Sequence, residues 1–326
     1  MKIAIVTDKS REKLIPLVEA QAEDNQKMQT VMAITEILSQ KYECIELTAD
    51  ENIITSLKDE KVDLVFNLCN GIEGYSKLAQ FPAMLEFANI PYTGSSILGH
   101  ALAINKIFAS TVFKSKNIPT PGFVSIDSIK DLDDVDMEFP ILVKPSDEGS
   151  SRGIHQDSLV FNKEELVNKV KDSLHTYTPP IMLNEYIDGR EFSIGIIGNG
   201  DQATTLPIQE VDLSELPEGL LKFNSFEVKS TYKPHVKYHF PARITDEEKE
   251  LIESAALKAF KSLLLRDYAR VDIILKDKVP YVLEINSLPG LMKTKSSLFR
   301  MAEVTDLGYE GLVFKIVDEA RKRYGI

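Results

Sequence analysis

Two apolar runs near the C-terminus carry oxygen-bearing side chains that could bind a metal ion. Asp272 lies in the first run, Glu284 and Asn286 end the second, and residues 276–278 link them. A link of this length predicts a β-hairpin, and strand alternation puts Glu284 and Asn286 on one face, near Asp272. Unpaired charges are costly on a mostly apolar sheet, whereas hard oxygen ligands suit Mg²⁺ held against nucleotide phosphates. The alternative is a pair of surface acids on an edge strand.

A loop of small residues follows another apolar run, and we call residues 144–153 the glycine-serine loop. After Lys144 it contains Gly149, Ser150, Ser151 and Gly153. Glycines let the backbone approach a phosphate closely, and serine hydroxyls add donors. The loop lacks the Gly-Lys-Ser/Thr ending of a Walker A motif. A lysine that leaves an apolar strand needs an anionic partner, which favours phosphate binding over a flexible surface turn.

Two further segments carry candidate nucleotide ligands. Lys106 lies on or near the apolar side of a helix predicted over residues 100–117, where it could also be a snorkelling surface lysine. Residues 184–191 join two predicted strands. Their backbone could pair with the edge of adenine while Glu191 accepts hydrogen bonds from ribose hydroxyls. The alternative is an ordinary Asp-Gly turn.

The elements that position these groups form three predicted domains. Strands alternate with helices over residues 1–96, which predicts a parallel, doubly wound sheet. A small domain follows over 97–183, and a C-terminal domain with the hairpin over 184–326. Ligands of a doubly wound sheet bind outside the carboxyl ends of its strands. Side chains there could contact substrate or form a solvated turn: Asn67, Asn70, Glu73 and Ser76.

Composition narrows the class of protein. The 326 residues include 38 basic and 50 acidic side chains, a net charge of −12, so we expect no nucleic-acid partner. The two cysteines, Cys44 and Cys69, lie in apolar strand-like runs, which predicts buried thiols in a reducing cytoplasm. No apolar run is long enough for a signal peptide or a membrane span, so we expect no membrane partner.

Taken in order, these elements resemble the D-alanine–D-alanine ligase branch of the ATP-grasp superfamily over nearly the whole chain. The resemblance rests on five segments: Tyr92-Thr-Gly-Ser95, Lys144-Pro-Ser-x-Glu-Gly-Ser-Ser151, Glu191-Phe192, Phe240-Pro-Ala242 and Glu284-Ile-Asn-x-x-Pro-Gly290. It implies an α/β protein in which a doubly wound N-terminal domain precedes two α+β subdomains that clasp ATP.

The resemblance also implies roles for particular residues. ATP would be bound by Lys106, Lys144, Gly149, Ser150, Ser151, Glu185, Ile187, Glu191, Lys229 and Asn286. Two Mg²⁺ ions, replaceable by Mn²⁺, would be held by Asp272, Glu284 and Asn286. Arg270, Lys229 and Ser150 would be catalytic, with Arg270 stabilising charge on the transferring phosphoryl group. Residues 212–240, which we call the lid segment, would carry Lys229 over the γ-phosphate.

The implied reaction is ADP-forming amide ligation in the cytoplasm. A carboxylate is a poor electrophile, so it would first attack the γ-phosphate to give an acyl phosphate, which an amine then converts to an amide. Positioning and charge neutralisation would supply most of the catalysis. The substrates would be amino acids or small peptides, and the chain could form a homodimer. Two alternatives are a phosphotransferase acting on a hydroxyl and a nucleotide-binding module without turnover.

The amino-acid half of the site departs from the family. A Gly-Gly-x-Ser-x-Glu element, whose glutamate holds a substrate amine, is replaced by residues 6–12, which lack the glycines. Glu12, Glu19 or Glu23 could take its place, and the spacing selects none of them. After Gly290 the chain is about two residues longer than the family pattern before the serine that binds a carboxylate. The resulting substrate candidates are Glu73, Gly290, Ser296 and Ser297, with Lys293 and Lys295 as alternatives that could equally be solvated.

Overall fold

The computed structural model describes residues 1–12, 17–71, 74, 76–149 and 151–326. The side chains of Leu17, Val18, Glu19 and Ala22 are also outside the description. The predictions for Glu73, Ser150 and the Glu19 side chain therefore lie outside the described residues. Within the described part, no helix has the length and apolar character needed to cross a membrane.

The N-terminal part forms a parallel sheet with the strand order β2-β1-β3. Its elements are β1 (Lys2–Asp8), α1 (Leu17–Leu38), β2 (Glu43–Ala49), α2 (Ile53–Asp59), β3 (Leu64–Asn67) and α3 (Lys77–Phe87). Ile3 and Ile5 pack into one apolar cluster and Ala4 and Val6 into another, so β1 is buried on both faces. Burial on both faces is typical of parallel sheets covered by helices. The predicted parallel sheet is confirmed.

The middle of the chain forms an antiparallel sheet with the order β4-β7-β5-β6. Its elements, in chain order, are α4 (Ile97–Ile104), α5 (Lys106–Ser115), β4 (Phe123–Ile126), β5 (Ile141–Pro145), β6 (Leu159–Val160), α6 (Lys163–Thr176) and β7 (Ile181–Glu185). The predicted cap of α6 forms, because the Asn162 side chain accepts a hydrogen bond from the Glu165 backbone N–H at 3.0 Å. Leu166 and Val170 of α6 are buried against this sheet.

The C-terminal part contains a six-stranded sheet with the order β11-β10-β8-β12-β13, in which β9 pairs with β8. Its elements are β8 (Arg190–Ile197), β9 (Thr204–Thr205), β10 (Gln209–Asp212), α7 (Phe226–Ser230), β11 (Lys237–His239), α8 (Asp246–Ser262), β12 (Tyr268–Lys276), β13 (Val279–Asn286), α9 (Ser297–Glu303) and α10 (Gly308–Tyr324). Short 3₁₀ turns occupy Ile129–Asp134, Gln156–Ser158, Gly200–Gln202 and Lys233–His235.

Helix α8 covers one face of the six-stranded sheet. Its predicted capping box forms: Thr245 Oγ1 accepts from the Glu248 N–H at 3.2 Å, and the Glu248 carboxylate accepts from the Thr245 N–H at 2.9 Å. Apolar side chains from α8 and the sheet form one buried cluster: Ile252, Ala255, Ala259, Phe260, Phe192, Ile194, Val271 and Ile273. Because side chains alternate along a strand, Glu191, Ser193, Arg270 and Asp272 lie on the opposite face, which we call the polar face. Ile197 and Tyr268, on the same side, pack into another apolar cluster.

One helix predicted over residues 100–117 is in fact two, and that prediction is wrong. Asn105 leaves the helical region at φ −92° and ψ 105°, and its Oδ1 accepts from the N–H groups of Ile107 and Phe108, each at 3.1 Å. Asparagine is a strong N-cap residue, so it starts a new helix here. Lys106 therefore opens α5 instead of lying within a longer helix.

The β12–β13 hairpin is confirmed, but its link is shorter than predicted. Strand β12 continues through Lys276, which leaves a two-residue turn of Asp277 and Lys278 at φ 49° and 61°. Positive φ at both positions is the conformation of a type I′ turn, whose twist matches that of the flanking strands.

The predicted burial of the cysteines holds for only one of them. Cys69 is 1% exposed and burial raises its pKa, whereas Cys44 is half-buried. Cys44 lies on β2, an edge strand of the parallel sheet, where the helices that cover the sheet shield its side chain less fully than those of the central strand β1. Both thiols are free.

Candidate functional site

The polar face of the six-stranded sheet gathers the predicted hairpin residues. Arg270 lies opposite Asn286, and Asp272 lies opposite Glu284, in the antiparallel register of β12 and β13. Directly opposed residues point to the same face, so all four side chains share it. A register shift follows Asp272, and such bulges re-aim side chains near functional sites. The predicted convergence of Asp272, Glu284 and Asn286 is therefore confirmed.

Asp272 is held by three neighbours. Arg270 donates from Nε to Oδ1 at 2.9 Å and from Nη2 to Oδ2 at 2.6 Å, a bidentate pair of the strong kind. Ser193 Oγ donates to Oδ1 at 2.7 Å, and Asn286 Nδ2 lies 3.4 Å from Oδ2. Burial disfavours the Arg270 cation, but the charge and hydrogen bond of Asp272, together with the charges of Glu284 and Glu191, outweigh it and raise the pKa of Arg270. Arg270 is thus a fixed positive charge on this face.

Glu284 lies among cations. Lys106 Nζ is 3.6 Å from Glu284 Oε2. Burial alone would raise the pKa of Glu284, but a group of positive charges lowers it to about 2: Lys106, Lys229, Arg270 and Lys144. The side chain is therefore an anion throughout the neutral range. The ionic contact with Lys106 also joins helix α5 to strand β13.

Lys144 is a buried cation in need of an anion. It ends the apolar part of β5 and is only 5% exposed. Burial and the charge of Lys106 lower the pKa of Lys144 to about 8, although Glu284 opposes the shift. Among the described residues, no hydrogen-bond acceptor or carboxylate pairs with its Nζ. An amine that is costly to bury and not neutralised by protein is suited to binding an anionic ligand.

The glycine-serine loop lies beside these lysines. Lys106 donates from Nζ to the Glu148 carbonyl and from its backbone N–H to the Ser146 carbonyl at 2.8 Å. Gly149 is exposed, and a Cβ there would meet nothing within 4 Å. At Gly153, φ is +73° and a Cβ would lie 2.5 Å from Pro145 Cγ, so only glycine fits. The loop thus presents open backbone next to two lysine ammonium groups.

The lid segment contains α7 and β11 and is docked on the glycine-serine loop and on the two residues that follow it. Ser151 Oγ donates to the Asn224 carbonyl at 2.8 Å, and the Phe226 N–H donates to the Ile154 carbonyl at 2.8 Å. His155 Nδ1 lies 2.7 Å from Glu227 Oε1. Lys229 is on α7, and its charge helps to lower the pKa of Glu284 and opposes the rise in the pKa of Glu191.

The segment predicted to contact adenine and ribose forms the connection from β7 to β8. Ile187 is 4% exposed, and Glu185 Oε2 accepts from the Gly122 N–H at 2.8 Å. Glu191 Oε1 accepts from Asn224 Nδ2 at 2.7 Å. Burial raises the pKa of Glu191, while the Asn224 hydrogen bond and the Lys229 charge oppose that rise. Glu191 shares the sheet face of Asp272, because it lies two residues before Ser193.

Of the three glutamates predicted to hold a substrate amine, Glu12 and Glu23 have described side chains, and these lie in different environments. Glu12 is exposed, whereas Glu23 forms ion pairs with Arg152 and, at 3.7 Å, with Arg11. Glu23 thus ties the glycine-serine loop to α1. Asp8, at the end of β1, is buried and lies 2.6 Å from Lys27 Nζ.

The candidates for a substrate carboxylate lie at the start of α9. Ser296 is its N-cap, and its Oγ accepts from the Met292 N–H at 2.8 Å and would lie 3.2 Å from a Cβ at Gly290. Ser297 is the first residue of α9, and Lys293 and Lys295 are exposed. Helix α9 packs on the polar sheet face, because a Cβ at Gly195 would lie 2.6 Å from Leu298.

Sequence reasoning missed several residues of this site. Ser193 bonds Asp272, and its signal was available, since it lies two residues after Glu191 in the same strand and so on the same face. Glu148 joins Lys77 at 3.1 Å to the glycine-serine loop. Asn224 bonds Glu191 across a long stretch of chain. No local pattern marks Lys77 or Asn224.

The hairpin residues fit Mg²⁺ by the chemistry of their donors. Asp272 and Glu284 supply carboxylates, and among described residues no hydrogen bond uses the amide oxygen of Asn286. Hard oxygen donors in small number, completed by phosphate oxygens and water, are how Mg²⁺ is usually held beside nucleotides. Within the described part of the chain, no group of three or more His, Cys, Asp or Glu side chains is placed to hold a metal alone. The site therefore fits a metal that arrives with phosphate.

Comparison with known proteins agrees with this geometry. A family model described as "D-ala D-ala ligase C-terminus" matches residues 113–318. The D-alanine–D-alanine ligase of Carboxydothermus hydrogenoformans is 32% identical over 293 residues, covering 86% of this chain and 88% of that protein. The uncharacterized protein y4sG of Sinorhizobium fredii is 36% identical over 262 residues, covering 80% of this chain and 75% of that protein.

Solved structures share the fold over the whole chain. The D-alanine–D-alanine ligase of Bacillus anthracis complexed with ATP has a TM-score of 0.75 at 22% identity, covering 100% of this chain and 99% of that chain. VanG, a D-Ala:D-Ser ligase of Enterococcus faecalis, has a TM-score of 0.75 at 20% identity, covering 98% of this chain and 99% of that chain.

Proposed function

This chain belongs to the D-alanine–D-alanine ligase family of ATP-grasp enzymes, and we propose that it joins the carboxylate of one amino acid or small peptide to the amine of another with release of ADP. The observation that carries the proposal is the cluster of Glu284, Lys106, Lys144 and Arg270 on the polar face of the six-stranded sheet. Buried charges of this kind need a highly charged ligand, and ATP is such a ligand.

In the proposed complex, the triphosphate lies between the two antiparallel sheets. Lys106 and Lys144 neutralise its oxygens from one side, and the backbone of Gly149 and Ser151 contacts it from the glycine-serine loop. Lys229 approaches from the lid segment. The adenine lies by Glu185 and Ile187, and the ribose by Glu191. The low exposure of Lys144 and Ile187 supports burial of the nucleotide.

Two Mg²⁺ ions, replaceable by Mn²⁺, are proposed to be held by Asp272, Glu284 and Asn286. Bound metal would neutralise phosphate charge as it develops. The protein's own contribution is to keep Glu284 ionised, which its lowered pKa of about 2 supports. Arg270 already bonds Asp272, so it is positioned beside the reacting phosphoryl group and stabilises charge there.

The proposed chemistry proceeds through an acyl phosphate. A substrate carboxylate oxygen attacks the γ-phosphorus, the bond to the ADP oxygen breaks, and ADP leaves. The amine of the second substrate then attacks the acyl carbon, loses a proton and expels phosphate. Water must be kept from the acyl phosphate. The hydrogen bonds between the lid segment and the glycine-serine loop support a closed site during these steps.

We infer that the amino-acid site differs from that of an enzyme making D-alanyl-D-alanine. The glycines after β1 are absent, and the buried Asp8–Lys27 pair lies there instead. Ser296, Ser297 and Gly290 are proposed to contact the carboxylate of a substrate. Glu73 and Ser150 remain predicted contacts outside the described residues. The family relatives named above support amino-acid substrates, and D-alanine is one candidate among them.

Further proposals concern the organisation of the chain. We propose three domains over residues 1–96, 97–183 and 184–326, supported by the three separate sheets; strand β7 runs slightly past the second boundary, to Glu185. We also propose that the enzyme works in the cytoplasm, where ATP is available, and that it forms a homodimer, which sedimentation analysis would test.

The test combines product analysis with an isotope label. Purified protein, MgATP and pools of D- and L-amino acids should release ADP only with acceptable substrates, and mass spectrometry should find an amide product. An ¹⁸O label in the donor carboxylate should appear in phosphate. Amide formation with unlabelled phosphate would rule out the acyl phosphate, and a stable phosphoester formed without amine would favour a phosphotransferase.

A further inference from the structure

One side chain of the lid segment has a buried hydrogen-bond acceptor that no described group uses. Asn224 donates from Nδ2 to Glu191 Oε1 at 2.7 Å, and this bond fixes which end of its amide faces Glu191. The amide oxygen at the other end is buried and has no hydrogen-bond partner among the described residues. A buried acceptor left unpaired costs about 1–3 kcal/mol. Such an atom therefore points to a donor supplied by a ligand.

The position of Asn224 indicates which part of a nucleotide could supply that donor. Its backbone carbonyl accepts from Ser151 Oγ at 2.8 Å, which pins it to the glycine-serine loop. The preceding residue, Phe223, packs edge-on against Tyr186 of the β7–β8 connection, with ring centroids 6.5 Å apart. Asn224 thus lies between the loop proposed for phosphates and the segment proposed for adenine. In a nucleotide, the group between those two parts is the ribose.

We propose that Asn224 reads the ribose directly: its Oδ1 accepts a hydrogen bond from one ribose hydroxyl while Glu191 accepts from the other. A ribose offers two hydroxyl donors, and the pair offers two acceptors, since the Asn224 bond occupies Glu191 Oε1 and leaves Oε2. Asn224 Nδ2 keeps the carboxylate oriented between them. This inference rests on the proposed binding of ATP and adds a ribose-reading residue on the lid segment.

The arrangement also couples nucleotide recognition to lid docking. Ser225, the next residue, caps α7 by accepting from the Val228 N–H at 3.3 Å, and α7 carries Lys229. A ribose hydroxyl bonded to Asn224 would therefore stabilise the lid segment where Lys229 approaches the phosphates. A nucleotide that lacks the hydroxyl loses that bond and binds a less stably docked lid segment.

The experiment measures the affinity of the full-length protein for ATP, 2′-deoxy-ATP and 3′-deoxy-ATP with Mg²⁺, by titration calorimetry. Each missing hydroxyl should weaken wild-type binding about tenfold, the typical value of one such hydrogen bond. In Asn224→Ala, the preference for ATP should vanish against one analogue and persist against the other. The matched control is Asp157→Ala, whose side chain pairs with Lys169 on α6 and not with the lid segment, and which should keep both preferences.

Other outcomes overturn the proposal. Equal loss of both preferences in Asn224→Ala would mean that the residue only orients Glu191. Unchanged preferences would remove Asn224 from the ribose site. If Asn224→Ala does not fold, equal binding of all three nucleotides by the wild type is sufficient to reject the idea. Failure of the ligase proposal is distinguishable, because ATP would then bind with these preferences and no amide would form.

Discussion

Glu284 is the carboxylate of the candidate site that faces Lys106, Lys144, Lys229 and Arg270. Glu284→Gln removes the anion next to Lys106 and weakens the proposed metal site. We expect kcat to fall by about 10²–10³, the usual effect of losing one group that stabilises developing charge. Steady-state ADP release gives the measurement, and Glu250→Gln, an exposed change on α8, is the control. Near-normal turnover in Glu284→Gln would disprove the metal assignment.

We expect Lys144 to lower the free energy of unfolding while it contributes to ATP binding. Because its pKa is lowered from 10.5 to about 8, burying it costs the free protein about 3 kcal/mol at neutral pH. Lys144→Met removes that cost, so we expect a free energy of unfolding higher by about 1–3 kcal/mol and weaker ATP binding. Denaturant unfolding and nucleotide titration test the two parts. Lys258→Met, on an exposed part of α8, should change neither.

The same lysine sets a pH dependence whose sign follows from proton binding. Between pH 8 and 10.5 the unfolded chain keeps a proton on Lys144 that the folded protein has lost. Stability therefore rises with pH across this window, and below pH 8 the penalty is constant. We expect the stability difference between Lys144→Met and wild type to shrink from pH 8 to 10.5. A difference that stays constant would show that burial does not lower the pKa of Lys144.

For individual residues, the alternation of side chains along a strand predicted more of the site than residue type did. The shared face of Glu284 and Asn286 followed from strand alternation, because a period of two determines which side chains share a face, whereas Arg270 was implied only by the family resemblance. Asn224 could not be found in this way. Its partner Glu191 is distant in sequence, and an asparagine in a loop has the same local signature whether it is solvated or buried.

At the scale of elements, the break before α5 positions Lys106. Asn105→Ala removes both cap hydrogen bonds, and we expect a loss of about 1 kcal/mol in stability. Fraying of the first turn would also move Lys106, so KM for ATP should rise. Asn105→Ser keeps a good N-cap and should restore most of both quantities. A stable Asn105→Ala variant with unchanged KM would show that the cap does not position Lys106.

The β12–β13 hairpin shows which part of an element sequence can predict. Its strands were evident from two apolar runs, but its turn contains Asp277 and Lys278 where type I′ turns usually carry Asn-Gly. The register is instead determined by burial of Val271, Ile273 and Ile285 on the α8 face. Similarly, the uninterrupted apolar pattern around residues 100–117 concealed the break at Asn105, because capping geometry leaves no mark on periodicity.

Across the whole molecule, ion pairs join parts that are far apart in sequence. Lys77 meets Glu148 at 3.1 Å, Arg152 meets Glu23, and Lys106 meets Glu284 at 3.6 Å. These contacts bring α3, α1 and α5 against the glycine-serine loop and the hairpin. Local patterns predict helices and strands, whereas the relative placement of sheets depends on contacts between residues far apart in sequence, such as the buried apolar cluster that joins Ile3 and Phe66 to Tyr268 and Leu312. The resemblance to a known family supplied that placement, and the residue patterns alone did not.

The lid segment is held closed by contacts with a distant part of the chain, and we expect this closure to ensure that each ATP used gives one amide. Gln156 holds the lid segment with a bond from Nε2 to Ser225 Oγ at 3.0 Å and one from the Leu221 N–H to Oε1 at 2.8 Å. Gln156→Ala should loosen the lid segment and admit water to the acyl phosphate. We expect the ratio of ADP released to amide formed to rise above one, measured by parallel assays of both products. Asp157→Ala, whose side chain pairs with Lys169 instead, is the neighbouring control and should keep the ratio at one. Equal ratios in both variants would mean that closure does not depend on this contact.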